Sequence, residues 1–323
     1  MKILTTLAII FTLNLGFAQT QQVILDRTGE DMFTSMKHSV QHDRLFAGDK
    51  KGQISVIDAK QGRLINTVKV GKSQGTIHLD NIGALGAFSD NSQMIRFFNQ
   101  KTLKVVDSVQ MPKVTSYIIY SVWFTEHSVL VGNNEKNYRY DLVTRKLTPA
   151  PELDSYRILD YSLTEDKLLL GFWDKSIPGD GNKINTLYIA KGTKLYDKQL
   201  MYSSSEVINA QTGAYMMEHG TKIVVLDKSG INIVHFNNKS GIAVPNAQIR
   251  AIAKLDDMNL FYSVRTKDLI HSLKSYNTSY KENRLDLALK YASYNDNIFK
   301  TNSDKIYVLN SYDGTKTRII VIQ

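Results

Sequence analysis

A short unit of strands and tight turns between Leu45 and Val70 constrains the fold of this chain more than any other stretch. Three runs rich in Ile, Val and Leu, Leu45–Gly48, Gln53–Asp58 and Leu64–Val70, are separated by turns that contain Asp, Lys, Gln and Gly. Short apolar runs bounded by such turns predict antiparallel strands. The unit therefore predicts a meander in which consecutive strands are neighbours.

The same unit recurs along the whole chain. Comparable starts of a second strand fall at Leu45, Leu85, Val129, Leu168, Ile223, Leu260 and Ile306, at successive distances of 40, 44, 39, 55, 37 and 46 residues. Third strands are predicted at Gln53–Asp58, Gln93–Asn99, Tyr138–Asp141, Ile184–Ala190, Ile231–Asn237, Leu269–Leu273 and Thr317–Gln323. A repeat of about 40–45 residues is typical of a four-stranded propeller blade. Seven starts predict an all-β fold, a seven-bladed β-propeller.

The turn that closes each third strand has its own chemistry. It opens with Asp58, Asn99, Asp141 or Asn237 and continues with Thr, Ser or Gly. An Asp or Asn at this place accepts hydrogen bonds from the backbone of the reversal. This pattern resembles the repeats of WD40-like and YVTN-like β-propellers over nearly the whole of residues 19–323. The tryptophan of the WD signature is absent from these turns, because the single Trp-Asp pair, Trp173-Asp174, ends a different strand.

The two ends of the chain predict a closed ring. The last repeat stops one strand short of a full blade, and Gln22–Thr28 forms an extra strand near the N-terminus. A terminal strand that completes the blade begun at the other terminus removes the free sheet edges. The stretch Asn283–Tyr294 is compatible with a short helix and equally with strands joined by a turn.

The N-terminus has the features of a secretory signal peptide over residues 1–18. Lys2 precedes an apolar region from Ile3 to Leu15, and Gly16-Phe-Ala18 provides a cleavage site before Gln19. The remaining residues, 19–323, then form a single propeller domain. The chain contains no cysteine, and no later segment approaches the roughly 18 consecutive apolar residues of a transmembrane helix. We expect an exported protein, periplasmic or extracellular, without a transmembrane segment.

The formal charge of +9 favours acidic partners. The Lys and Arg residues are scattered along the chain without a run of five or more, which favours a mildly basic surface over a dedicated patch. Export argues against nucleic acid as the partner. A protein or a polysaccharide bound on one propeller face is expected instead.

One irregularity in the repeat is the best candidate for a binding site. The connection between the second and third strands of the fourth blade is about eight residues longer than its counterparts and includes Trp173, Asp174, Lys175, Asp180 and Lys183. Insertions in repeat proteins often form loops on the binding face. Arg157 and Arg250, which begin inner strands, are expected at the same mouth of the central channel.

Two histidines are candidate metal ligands. His38 and His78 lie at matching positions in the inner strands of adjacent blades, where they are expected to approach each other near the channel. No third ligand follows at a usable spacing, so no metal site is predicted. No cofactor is predicted either.

The sequence favours a binding module over an enzyme. It lacks the Gly-x-Ser-x-Gly, His-Glu-x-x-His and glycine-rich phosphate-loop motifs, and no catalytic residue is assigned. The favoured function is an exported, non-catalytic propeller that binds a protein or a glycan. The alternative is a periplasmic lyase, hydrolase or lactonase in which His38, His78, Arg157 or Arg250 acts in the channel.

Overall fold

The computed structural model describes the chain from residue 21 to residue 322 with several gaps. The described residues are 21–80, 83–112, 121–125, 128–132, 136–162, 166–172, 183–191, 194–209, 214–218, 221–227, 230–235, 238–245, 249–254, 256, 258–265, 271–278, 283–289, 297–312 and 315–322. These residues form seven four-stranded antiparallel sheets, each a blade of a β-propeller. Within blades 1 to 6 the strands follow one another in chain order outward from the centre of the ring.

The strands are numbered in chain order. The first strand, β1 (Gln21–Thr28), is separated from the others by a 3-10 turn at Gly29–Asp31. Blade 1 contains β2 (Phe33–Ser39), β3 (Arg44–Asp49), β4 (Gln53–Asp58) and β5 (Arg63–Lys69). Blade 2 contains β6 (Gly75–Leu79), β7 (Leu85–Asp90), β8 (Met94–Asn99) and β9 (Val105–Gln110). Blade 3 contains β10 (Ser121–Phe124), β11 (Ser128–Gly132), β12 (Asn137–Asp141) and β13 (Leu147–Pro149), followed by a second 3-10 turn at Pro151–Leu153.

The second half of the ring repeats this order. Blade 4 contains β14 (Tyr156–Ser162), β15 (Lys167–Phe172), β16 (Lys183–Lys191) and β17 (Lys194–Asn209). Blade 5 contains β18 (Ala214–Met217), β19 (Lys222–Asp227), β20 (Gly230–His235) and β21 (Asn238–Pro245). Blade 6 contains β22 (Ile249–Lys254), β23 (Asn259–Arg265), β24 (His271–Asn277) and β25 (Asn283–Leu289). Blade 7 contains β26 (Asn297–Lys300), β27 (Ile306–Tyr312) and β28 (Lys316–Ile322).

The predicted closure of the ring is confirmed. The outermost strand of blade 7 is β1, which pairs antiparallel with β28 from Gln21 opposite Ile322 to Thr28 opposite Lys316. The N-terminal strand thus completes the blade that the C-terminus leaves one strand short. The backbone N–H of Phe33 also donates to Thr317 Oγ1 at 2.7 Å, which ties blade 1 to blade 7 just after the closing strand.

The hydrophobic core is divided among the seven interfaces between adjacent blades. In β3, consecutive residues serve two interfaces, since Leu45 packs toward blade 7 and Phe46 packs toward blade 2. Between blades 2 and 3, the rings of Phe97 and Tyr140 stack with centroids 5.2 Å apart. The second strands are therefore nearly continuous apolar runs, because both faces of each blade are covered by the adjacent blades.

The predicted strands agree closely with the structure. Each second strand begins at or one residue before its predicted start, and most third strands match within one or two residues. The third strand of blade 6 is the main difference, because it spans His271–Asn277 instead of Leu269–Leu273. Residues 283–289 form strand β25, so the strand alternative is confirmed for that part of Asn283–Tyr294.

Candidate functional site

The innermost strands of the blades surround the central channel and run in the same direction. Thr34 Oγ1, near the start of β2, donates to Gly75 O at the start of β6 at 3.0 Å. At the other end, the backbone N–H of Asn302 after β26 donates to Asp43 Oδ1 after β2 at 3.1 Å. We call the face on which the innermost strands begin the top face and the face on which they end the bottom face.

Arg157 and Arg250 both lie near the top face. Arg157 is the second residue of β14, opposite Gly171, and Arg250 is the second residue of β22. The connection from Phe172 to Lys183 leaves the same end of blade 4. It comprises ten residues, whereas the corresponding connections of the other blades comprise two to five. Trp173, Asp174, Lys175 and Asp180 belong to this connection and lie outside the described residues, and Lys183 is the first residue of β16.

An aromatic group frames the start of this long connection. The ring of Tyr156 contacts those of Phe172 and Tyr188 edge-on, with centroids 5.6 and 5.7 Å away. Lys198 Nζ lies 4.8 Å from the centroid of the Tyr156 ring, within the range of a cation–π interaction. Burial raises the pKa of Tyr156. These contacts hold the strands that flank the insertion in a fixed arrangement.

His38 lies at the opposite end of the channel and is engaged in a contact between blades. Its Nε2 lies 3.0 Å from Asp43 Oδ1, the same oxygen that accepts the hydrogen bond from Asn302 of blade 7. Burial lowers the pKa of His38, and the hydrogen bond to Asp43 opposes that shift. The arrangement links blades 1 and 7 and orients the imidazole toward Asp43.

In blade 2, His78 is opposite Ala87 in the ladder, one residue out of register with His38, which is opposite Leu45 in blade 1. Both histidines lie in the second half of their inner strands, toward the bottom face. Arg157 and Arg250 begin strands at the top. The four channel residues singled out from the sequence are thus divided two and two between opposite ends.

Lys254 and Asp160 form a second contact that joins inner strands. Lys254 Nζ donates to Met216 O at 2.7 Å and lies 3.8 Å from Asp160 Oδ2. Asp160 Oδ2 also accepts the backbone N–H of Met216 at 2.9 Å. One cation and one carboxylate thus bind blades 4, 5 and 6 together across the ring.

Lys37 is a channel residue that sequence reasoning missed. Its Nζ lies 5.9 Å from the centroid of the Phe299 ring, so it reaches from the innermost strand of blade 1 to that of blade 7. Within the described part of the chain, no carboxylate pairs with it, and burial alone lowers its pKa. In the sequence, the signal for this residue is a lysine next to a methionine in an inner strand. That methionine, Met36, is fully buried in the structure.

Solved structures with a similar fold include WD40 repeat β-propellers. The chain superposes on the WD40 repeats of RRP9 with a TM-score of 0.68 at 10% identity, covering 94% of this chain and 96% of that one. It superposes on U3-55K with a TM-score of 0.68 at 11% identity, covering 94% and 98%. The β-propeller domain of Myceliophteria thermophila Cps50 (Swd1) gives a TM-score of 0.64 at 11% identity, covering 94% and 99%. The chain has the WD40-type propeller fold.

The sequence itself matches no family model and no curated protein. The likeness of this WD40-type propeller to other propellers therefore concerns the fold. The residues that precede Asp58, Asn99 and Asp141 in the repeat are Ile57, Phe98 and Tyr140, all buried. Large apolar side chains other than tryptophan thus fill the blade interfaces at the ends of these third strands.

The described part of the propeller offers neither a metal-binding cluster nor a membrane-spanning helix. Among these residues, no set of three or more His, Asp or Glu side chains is placed to hold a metal ion. Within the same residues, no helix is long and apolar enough to cross a membrane.

Proposed function

We propose that this chain is an exported, non-catalytic binding module whose propeller holds a protein partner on one face. Residues 1–18 direct export, and the mature protein begins at Gln19 in the periplasm or outside the cell. A glycan is the second class of ligand that the loops of a propeller accommodate. WD40 repeat propellers typically serve as scaffolds for protein interaction, which supports a protein as the ligand.

The observation that favours binding over catalysis is the use made of the polar channel residues. Asp43 is engaged with His38 and Asn302, and Lys254 and Asp160 are engaged with Met216. A general acid or base must present a proton or a lone pair to the substrate, whereas these groups form contacts that join blades. They stabilise a ring on which outward-facing loops are displayed.

The long connection of blade 4 is the proposed docking segment on the top face. Its aromatic and charged residues, Trp173 to Lys183, suit a polar protein surface. The segment departs from the repeat, and the strands on either side are held by the contacts of Tyr156. A rigid base below a longer connection is a common arrangement for recognition.

Capture of partners by the tagged, exported chain tests this proposal. We expect the wild-type protein to retain a partner that is lost at least about fivefold when Trp173, Asp174 and Lys175 are replaced by alanine. The matched control replaces Lys50 and Lys51, in the corresponding connection of blade 1 on the same face, and retains the partner. Fractionation and N-terminal sequencing of the mature chain, expected to start at Gln19, test export.

Turnover would overturn the proposal. If the purified protein converts a sugar or lactone substrate, and Arg157→Ala or His38→Ala abolishes that conversion without unfolding the protein, the channel is an active site. Retention of the partner by the blade 4 variant at the wild-type level would exclude the long connection as the docking segment.

A further inference from the structure

Three matching turns lie side by side on the bottom face at the outer edge of blades 1 to 3. Each follows a third strand and is closed by the side chain predicted from the sequence. Gln61 N donates to Asp58 Oδ1 at 2.8 Å, Thr102 N donates to Asn99 Oδ1 at 2.8 Å, and Thr144 N donates to Asp141 Oδ1 at 2.7 Å. We call residues 60–65, 101–106 and 143–146, which comprise these turns and the first residues of the outer strands β5 and β9, the rim surface.

Every ionisable side chain of the rim surface is basic and exposed. These side chains are Lys60, Arg63, Lys101, Lys104, Arg145 and Lys146. The nearby carboxylates of Asp58 and Asp141 accept hydrogen bonds inside the turns. Another nearby carboxylate, that of Asp107, accepts a hydrogen bond from the hydroxyl of Tyr140 at 2.7 Å. The cations thus face solvent while the carboxylates are engaged in the fold, which gives this rim a positive potential.

Exposed aliphatic side chains lie directly beside these cations. Leu64, Ile65, Val105, Val106 and Val143 are 40 to 85% exposed. In blades 1 and 2, the two adjacent exposed aliphatic residues arise from a β-bulge in the outer strand. The ladder shifts between Val56 and Ile57 opposite β5, and between Phe97 and Phe98 opposite β9, which leaves Ile65 and Val106 as the extra residues of β-bulges.

The three turns form one surface because contacts cross both blade interfaces. Arg44 of blade 1 donates from Nη1 to Lys101 O of blade 2 at 3.3 Å. On the other side, Arg145 Nε of blade 3 lies 3.7 Å from Asp107 Oδ2 of blade 2. The repeat therefore places residues about one blade apart in sequence next to each other in the ring.

We propose that the rim surface binds an acidic polypeptide segment that carries aliphatic side chains. This inference rests on the proposed role as a binding module and adds a second docking surface, on the face opposite the long connection of blade 4. The cations attract the carboxylates of the partner, and the exposed aliphatic side chains bury its apolar residues. Docking is through side chains, because the bulges at Ile65 and Val106 interrupt the regular edge that an added strand requires.

The pairing of charge with aliphatic surface selects this partner over others. A nucleic acid is bound mainly through its phosphates and by stacking on aromatic rings, and the rim surface has no aromatic side chain. A membrane would be met first by the tips of the turns, whereas four of the five aliphatic residues lie on the outer strands behind those tips. An acidic, aliphatic peptide complements both features.

Binding of short fluorescein-labelled peptides to the mature protein tests the inference by fluorescence anisotropy. The probe consists of repeated Glu-Ser-Leu-Glu units, and two counterparts replace all Glu by Lys or all Leu by Ser. We expect the acidic, leucine-containing probe to bind, and its affinity to fall at least about tenfold in Lys101→Glu/Lys104→Glu. Val105→Ser/Val106→Ser is expected to weaken binding by about threefold to tenfold.

Matched controls carry the same changes elsewhere on the ring. Lys72→Glu/Lys136→Glu makes the same change of charge at exposed lysines toward the top face, and Val23→Ser removes an exposed valine from the outer strand of blade 7. Both controls are expected to bind the probe like the wild type. All variants concern exposed side chains, and thermal unfolding verifies that they fold.

Other results would overturn the inference. Equal binding of the Leu-to-Ser counterpart or of single-stranded DNA would reduce the rim surface to a non-specific polyanion site. Binding to anionic phosphatidylglycerol vesicles that is lost in the rim variants would assign it to a membrane. If the acidic probe fails to bind while a partner is still captured through Trp173–Lys183, the rim inference is wrong and the proposed function stands.

Discussion

At the scale of the residue, Lys37 is the most unusual group in the described part of the ring. Burial of an ammonium without a carboxylate partner costs free energy, and the nearby Phe299 ring offsets only part of that cost. By contrast, Lys254 of blade 6 has both a carbonyl and a carboxylate within reach. Lys37 therefore destabilises the folded state relative to an apolar side chain of similar length.

Lys37→Met is expected to stabilise the protein at neutral pH by roughly 1 kcal/mol or more. Methionine keeps most of the length and apolar volume of the lysine and removes the ammonium. Urea unfolding followed by circular dichroism measures the change. Lys72→Met, at an exposed lysine, is the control and is expected to leave stability nearly unchanged.

The pH dependence provides an independent check on Lys37. Its pKa in the folded state lies below the ordinary value of 10.5, so between those two pKa values the unfolded chain binds more protons than the folded one. The free energy of unfolding of the wild type then rises with pH in this window. The advantage of Lys37→Met should shrink as pH approaches 10.5, and a difference independent of pH would contradict the assignment.

At the scale of the element, the turn after the third strand of blades 1 to 3 combines a side-chain cap with a left-handed residue. The fifth residue has a positive φ in all three described examples, +70° at Gly62, +62° at Leu103 and +57° at Arg145. Glycine adopts this conformation without steric cost, whereas other residues adopt it at a cost of about 1–2 kcal/mol. Leu103 is buried at the interface of blades 1 and 2, so packing offsets its strain.

Opposite substitutions at two of these positions test the conformational cost. Gly62→Ala is expected to destabilise the protein by about 1 kcal/mol, because the added Cβ meets only ordinary contacts of 3.4 Å and the backbone bears the strain. Arg145→Gly is expected to stabilise it by up to about 1 kcal/mol, since the exposed ion pair with Asp107 contributes little.

Chemical denaturation of both variants measures the two effects. Stabilisation by Arg145→Gly together with destabilisation by Gly62→Ala supports the conformational explanation. Destabilisation in both variants would instead assign the effect at Arg145 to the loss of its side-chain contacts.

Local chemistry made the strands predictable, whereas the site depended on how the ring closes. The turn residues Asp58, Asn99 and Asp141 act within a few residues of themselves, so their positions in the sequence were sufficient to place the strands beside them. Lys60 and Lys101 are far apart in sequence and look scattered there. Only the stacking of blades brings them into one surface. Lys37 was missed for the same reason, because its contact with Phe299 crosses from the first blade to the last.

At the scale of the whole molecule, the ring is held closed by β1. Its residues Ile24 and Leu25 pack against the apolar cluster between blades 7 and 1, which includes Tyr307 and Ile319. Without β1, the outer edge of β28 would expose unpaired backbone groups and this cluster would lose part of its cover. The first and last strands of the domain therefore stabilise the closed ring together.

Deletion of residues 21–28 is expected to lower the melting temperature by about 5–10 °C, from the loss of the apolar contacts of Ile24 and Leu25. It is also expected to cause association that depends on concentration, because the exposed edge of β28 can pair with another chain. Calorimetry and analytical ultracentrifugation measure the two effects. A synthetic peptide with the sequence QQVILDRT, added in excess, should reverse both by reoccupying the edge.

The control for this deletion is Gln21→Ala/Gln22→Ala, which changes two exposed side chains of β1 and keeps its backbone in the ladder. It should match the wild type in both measurements. Leu25→Pro provides the intermediate case, since proline removes one backbone donor and the leucine contact together while the rest of β1 remains. If the deletion variant melts and sediments like the wild type, blade 7 is stable with three strands, and closure by β1 contributes little to holding the ring together.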